Sequence, residues 1–180
     1  MMNNNWIEKL KQAGADTISA IDPATIPFAP ELRELCEQNA CGNYGTCWTC
    51  PPLCGDVAVL SAKVKSYRHG VVFSKVYRLE DSFDVEGMRA GRLAFGQMVG
   101  ALQAAAKAGP EPVLVLSAGG CSLCARCAAR DNEPCRHPQD ALVSLEACGI
   151  EVSRLAAQCG VPYINGPNTV TYFGAVFWNE

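Results

Sequence analysis

Cys121, Cys124, Cys127 and Cys135 form a C-x2-C-x2-C-x7-C run. Thiolates are the ligands that soft and borderline metals select. Three of them, each two residues from the next, can close on one compact iron–sulfur cube, because every spacer turns the chain and brings successive sulfurs to adjacent corners. Gly119 and Gly120 stand directly upstream, where the lack of a Cβ lets main-chain N–H groups approach the sulfides. Four cysteines also suit zinc, although structural zinc sites usually pair two C-x2-C knuckles across a longer spacer.

A second group lies earlier in the chain: Cys36, Cys41, Cys47, Cys50 and Cys54, with Gly42, Gly45 and Gly55 between and after them. Cys50 is followed directly by Pro51, as the last cysteine of many ferredoxin ligand runs is. The spacings x4, x5, x2 and x3 match no single standard pattern, so the ligand subset stays open. A second iron–sulfur cluster is the expectation, with zinc or a redox-active thiol cluster as alternatives. Four thiolates would close that cluster and suit an electron carrier, whereas three would leave one iron with an open position for substrate.

The remaining reactive residues have plainer readings. Cys148 continues the apolar line of Leu142 and Leu145, and Cys159 that of Val152, Leu155 and Ala156, so both are expected in the core. His69 and His137 are the only histidines; His137 stands beside the second loop, where it reads as a polar loop residue or a donor behind the ligands. Arg126, Arg130 and Arg136 either offset the charge of a thiolate-bound cluster and dock an acidic partner, or are loop charges balanced by Asp131 and Glu133. No Ser-His-Asp order, phosphate-binding loop or strand-linked G-x-G-x-x-G is present, so no catalytic residue is named and enzyme activity is left open.

The elements that must position these loops follow from periodicity. Helices are expected from Trp6 to Ala13, from Glu31 to Glu37, and where Val57, Leu60, Val64 and Tyr67 recur at helical spacing. A long amphipathic helix is expected from Val85 to Ala108, ended by Gly109-Pro110, with Gly91, Gly96 and Gly100 inside it as sites of close packing. Gly70 to Tyr77, Val113 to Leu116 and Val170 to Trp178 read as strands. The second of these runs straight into Gly119-Gly120, so the cysteine loop hangs from a strand end. Pro138 and Gly149 bracket a further expected helix, and Val152 to Ala156 lie in a last one closed by Gly160. The fold class is α+β or α/β: one domain over residues 1–180, with about three strands, flanking helices and two cysteine-rich metal-binding loops.

The chain has 180 residues, 49% of them hydrophobic, and eleven cysteines. A chain of this length builds a core without cross-links. No signal segment or membrane-length apolar run is seen, so a cytoplasmic, reducing location is expected, where clustered cysteines indicate metal or redox chemistry rather than disulfides. A net charge of −3 gives no general attraction to nucleic acid or to an anionic membrane, and a redox protein is the expected partner.

The pattern Cys36-x4-Cys41-x2-Tyr44-Gly45-x4-Cys50-Pro51-Pro52, then Gly120-Cys121-x2-Cys124-x2-Cys127-x7-Cys135-x2-Pro138, resembles the cysteine-rich predicted metal-binding proteins of unknown function found in bacteria and archaea. Ser144 to Ile150 and Gly166 to Gly174 are similar to later motifs of that family. The resemblance implies metal binding, of iron–sulfur type, by Cys36, Cys41 and Cys50 in one group and by Cys121, Cys124, Cys127 and Cys135 in the other. It implies no activity. Cys47 and Cys54 have no matched position, and Cys54 is preferred as the fourth ligand of the first group because Pro51 and Pro52 stiffen its approach. Two [4Fe–4S] clusters with an electron-transfer or redox accessory role are therefore expected; a structural zinc-binding module and an enzyme with an open-site cluster are the alternatives.

Overall fold

A computed structural model describes residues 5–180. Four strands, β1 (Thr17–Ile21), β2 (His69–Arg78), β3 (Leu114–Ser117) and β4 (Thr169–Trp178), form one antiparallel sheet in the order β1-β2-β4-β3. Five helices accompany it: α1 (Asn5–Gln12), α2 (Leu32–Glu37), α3 (Val57–Lys65), α4 (Val85–Ala108) and α5 (Val152–Gln158).

Side chains alternate across a strand, and here both faces are covered. Val71 and Phe73 of β2 join Val176 and Trp178 of β4 in a core with Trp6 and Leu10 of α1 and Phe95, Val99 and Leu102 of α4. The intervening Val72, Phe173, Ala175 and Phe177 face the other way, onto Val64 of α3 and Leu155 and Ala156 of α5. Burial on both faces is why these strands read as continuous apolar runs rather than as an alternation. In α4 the buried residues Phe95, Val99, Leu102 and Ala106 recur every three or four positions, the stripe that turns one side of a helix to a sheet. Among the described residues no helix is long and apolar enough to cross a membrane.

The mixed class stands, with differences of detail. The sheet has a fourth strand, β1, at its edge; Thr17-Ile-Ser-Ala-Ile is short and half polar, and pairing with β2 across Thr17↔Ser74 to Ile21↔Gly70 makes it a strand. The helix expected between Pro138 and Gly149 does not form. Leu142 packs against the core on the α4 side, while Leu145 is fully buried in the core on the opposite side of the sheet. Residues three apart on a helix share one face, so that span must be irregular. Only Glu146–Cys148 winds into a short 3-10 turn, with the Ser144 hydroxyl accepting from Ala147 N–H at 3.0 Å. The internal glycines of α4 also divide: a Cβ on Gly91 would lie 3.0 Å from the Tyr77 ring and one on Gly96 2.9 Å from Ser122 Oγ, whereas one on Gly100 would meet nothing within 4 Å.

Candidate metal centre

The end of β3 is fixed on both sides. Ser117 pairs with Gly174 of β4 and bridges to Ser144, Ala118 N–H donates to the Phe173 carbonyl at 2.8 Å, and Leu145 N–H donates to the Ser117 carbonyl at 3.2 Å. The chain then leaves the sheet through Ala118-Gly119-Gly120 into the second cysteine loop. Gly119 has φ +81°, a conformation that suits glycine, and its N–H donates to Glu146 Oε2 at 3.2 Å. A Cβ on Gly120 would lie 2.9 Å from Asn43 Nδ2 and 3.6 Å from Cys50 Sγ. The two cysteine loops therefore meet at this glycine.

Two further bonds hold them together, and a third ties the second loop to α4. Trp48 Nε1 donates to the Glu133 carbonyl at 2.9 Å, Arg130 Nη2 to the Gly42 carbonyl at 2.9 Å, and Arg92 Nη2, from α4, to the Gly120 carbonyl at 2.8 Å. Arg126 is paired with Asp131 at 2.6 Å, and Arg136 Nη1 donates to the Arg126 carbonyl at 3.0 Å. Each of the three loop arginines thus has an internal role: Arg126 balances a loop carboxylate, while Arg130 and Arg136 bind backbone carbonyls.

The first loop is wound by its own backbone. Cys50 N–H donates to the Cys47 carbonyl and Cys54 N–H to the Cys50 carbonyl, both at 3.0 Å, and Gly45 N–H reaches the Pro51 carbonyl at 2.9 Å. This winding divides the cysteines. Cys47 and Cys50 are the two buried thiols of the loop, and they line different cavities.

One cavity, of about 20 Å³, is lined by Cys47 together with Cys121, Cys124, Cys127 and Cys135; it has room for little more than a water molecule. Thr49, Arg136 and His137 complete its wall. The other cavity, of about 520 Å³, is lined by Cys36, Cys41 and Cys50, with Asn43, Tyr44, Arg92, Glu146 and Tyr172 around them. Cys54 is absent from that lining, its thiol 4.0 Å from the Gly55 carbonyl and beside Arg33, but its charge still reaches Cys36 and Cys50 and helps to raise both. So Cys47, grouped with Cys36, Cys41, Cys50 and Cys54 by position in the chain, stands in space with the second loop. Sequence spacing does not reveal this, because the Cys47-x2-Cys50 turn places its two hydrogen-bonded thiols at the boundary between the cavities, one residue lining each. Among the described residues no three Cys, His, Asp or Glu side chains stand at the spacing of a single-ion site.

Electrostatics distinguish the paired thiols. Cys47 is held well below the ordinary thiol range because the Cys50 thiol, the hydroxyl and N–H of Thr49 and the backbone N–H of Cys121 all donate toward its sulfur, outweighing burial; its sulfur lies 3.4 Å from Thr49 Oγ1. Cys50 is pushed up by the same bond, by burial and by the neighbouring thiolates. Cys121 and Cys36 are raised mainly by burial, and the Arg33 guanidinium opposes burial at Cys36 and at Cys54. Hydrogen bonds to a charged sulfur favour the thiolate, the form that binds metal.

Cys148 is 2% exposed, and burial pushes its thiol up to about 12; Cys159 packs on the edge of the same core. Both are core residues, as expected. His137 lines the smaller cavity, whereas His69 begins β2, pairs with Trp178 at the end of β4 and packs tilted against its ring at 5.8 Å. Arg92 and Tyr172 were not foreseen as site residues: nothing local marks them, since helix α4 and strand β4 deliver them to the cavity wall.

The donor chemistry suits a thiolate-bound cofactor at both places, although at about 20 Å³ the smaller cavity must open for its thiols to enclose a cluster. All the side chains that could ligate in the small cavity apart from His137 are thiols, with Arg136 to offset their charge, and in the larger one Gly120 leaves bare the space beside Cys50 that a Cβ would fill. In comparison with known proteins, residues 19–178 match the family described as "Predicted metal-binding protein (DUF2284)". Neither a curated protein nor a solved structure matches the chain.

Proposed function

Because the chain belongs to the DUF2284 family of predicted metal-binding proteins, we propose that it is a cytoplasmic iron–sulfur protein that holds two [4Fe–4S] clusters and transfers electrons between them and a redox partner protein. The observation that carries this reading is the pair of adjacent thiol-lined cavities, one bounded by Cys36, Cys41 and Cys50 and the other by Cys47, Cys121, Cys124, Cys127 and Cys135. They share a wall. Cys47 and Cys50 belong to one turn, and Gly120 and Cys121, which face the two cavities, are consecutive.

When bound, the clusters supply one-electron redox chemistry. The protein's own part is to hold the thiols, to donate backbone and hydroxyl hydrogen bonds to sulfur at Cys47, and to set the surrounding charge with Arg33, Arg92 and Arg136, the factors that tune cluster potentials. Bonds through the Cys47–Cys50 turn connect the two sites directly. A partner reaches the smaller site from the loop surface that carries Arg126, Arg130 and Arg136, all of them close to solvent.

Iron, acid-labile sulfide and zinc measured on anaerobically purified protein test the proposal. About eight irons and eight sulfides per chain are expected for two cubes. Stoichiometric zinc without labile sulfide, in protein made under iron-replete anaerobic conditions, would replace this reading with that of a structural zinc module.

A further inference from the structure

We propose that a cavity at one end of the sheet, away from the thiols, binds a small monocarboxylate with an apolar body, its carboxylate held by Arg68 and by the indole N–H of Trp178. The site is independent of what the cysteine loops carry. The cavity, of about 300 Å³, is bounded by Ile7 of α1, Ala20 of β1, Arg68 just before β2, His69 and Val71 of β2, and Trp178 at the end of β4. Strand pairing sets the direction of these side chains. His69 stands opposite Trp178 and Val71 opposite Ala20, and residues directly opposite share a face of the sheet. Val71 and Trp178 are buried in the core beneath α1, against which Ile7 also packs, so the cavity lies on the α1 side. The second cysteine loop leaves the sheet elsewhere, beside the Ser117↔Gly174 pair.

Two features of the wall point to a ligand. Trp178 is 5% exposed, yet its Nε1 is buried with no hydrogen-bond partner among the described residues. A buried N–H left unpaired is costly, and the indole nitrogen is a donor only, so an acceptor is what satisfies it. The Arg68 side chain makes no ion pair among the described residues, and only its backbone N–H is engaged, donating to Asn179 Oδ1 at 3.1 Å. Its guanidinium therefore keeps the planar fork of donors that matches a carboxylate. The one carboxylate on the wall, Asp22, is already engaged by Ala24 N–H at 2.9 Å. Ile7, Ala20 and Val71, with the His69 and Trp178 rings, leave apolar surface for the body of the ligand. A volume at the lower end of the roughly 300–1,000 Å³ of small-molecule pockets suits a single-ring acid.

Benzoate and its uncharged analogue benzamide are the probes, titrated into the full chain while the indole N–H resonances are followed by proton–nitrogen NMR. The chain has three tryptophans. Trp178→Phe assigns the resonance of interest; where that variant does not fold, Trp6→Phe and Trp48→Phe assign it by elimination. Benzoate should move the Trp178 resonance downfield and saturate below about 10 mM. Arg68→Gln should need at least about ten-fold more benzoate, and the unsubstituted protein at least about ten-fold more benzamide, as expected for a lost charge-assisted bond. Arg68 is exposed, so the spectrum of Arg68→Gln without benzoate should match that of the parent; if it does not, benzoate against benzamide on the parent decides. A Trp178 resonance that stays in place overturns the proposal and leaves water as the acceptor. So does a response that benzamide reproduces at the same concentration, or one that Arg68→Gln in a folded state does not weaken. None of these results bears on the iron–sulfur reading, which is tested by iron and sulfide content.

Discussion

At the scale of single residues, the decisive placement is that of Cys47. Its sulfur receives donors from both loops, Thr49 on its own and the Cys121 backbone on the other, so it serves the second-loop cavity although its sequence neighbours serve the first. Substitutions within one unit are not additive. Cys124→Ser is expected to lose about half of the iron, one cube of two, and adding Cys47→Ser should remove little more. Near-complete loss of iron in the double variant would return Cys47 to the first group. Cys148 lies in the core on the α5 side of the sheet, protonated by its burial. Cys148→Ala should leave metal content unchanged and lower unfolding free energy by about 1–2 kcal/mol through lost packing, read from urea denaturation; loss of iron instead would make it a ligand.

At the scale of elements, α4 delivers Arg92 to the site, and its fit against the sheet fixes where that arginine emerges. Gly91 lies one residue before Arg92, and its missing Cβ is filled by the Tyr77 ring of β2. Gly100, two to three turns further on, faces open space. The two glycines should respond oppositely to alanine. Gly100→Ala should stabilise by about 0.5–1 kcal/mol from helix propensity alone. Gly91→Ala gains the same propensity but must push Tyr77 aside, and overpacking of about 1–3 kcal/mol should make it destabilising on balance. Thermal melts of the two variants check the sign; equal stabilisation would mean that α4 stands further from β2 than described. Gly91→Ala should also perturb the larger cavity, because Arg92 moves with the helix.

At the scale of the whole molecule, the two hydrophobic cores lie on the faces of the sheet while the thiols gather beyond one end of it, where β3 runs out. The cores involve no loop cysteine as a buried hydrophobic cluster member. Removing metal should therefore loosen the loops and spare the sheet. Hydrogen exchange on the metal-free protein is expected to show fast exchange over residues 38–56 and 119–137 and persistent protection in β2 and β4, consistent with local opening well below the global stability. Uniform loss of protection would show instead that metal binding and folding are one event, as in small zinc domains.

Local signals specify the thiol-rich, metal-binding character of the loops and most of the elements. Eleven cysteines in clustered spacing, β-branched runs at Gly70–Tyr77 and Val170–Trp178, and the three-and-four spacing of Phe95, Val99 and Leu102 are local signals, and local signals persist in the fold. The tertiary structure decided what depends on direction. β1 is a strand only because β2 offers it an edge, and Pro138–Val143 is not a helix because Leu142 and Leu145 must reach opposite faces of the sheet. The grouping of thiols is of the same kind. A spacer fixes how far apart two cysteines stand along the chain but not which way each sulfur points; that was set by the hydrogen-bonded turn at Cys47–Cys50 and by the bare backbone of Gly120 against it.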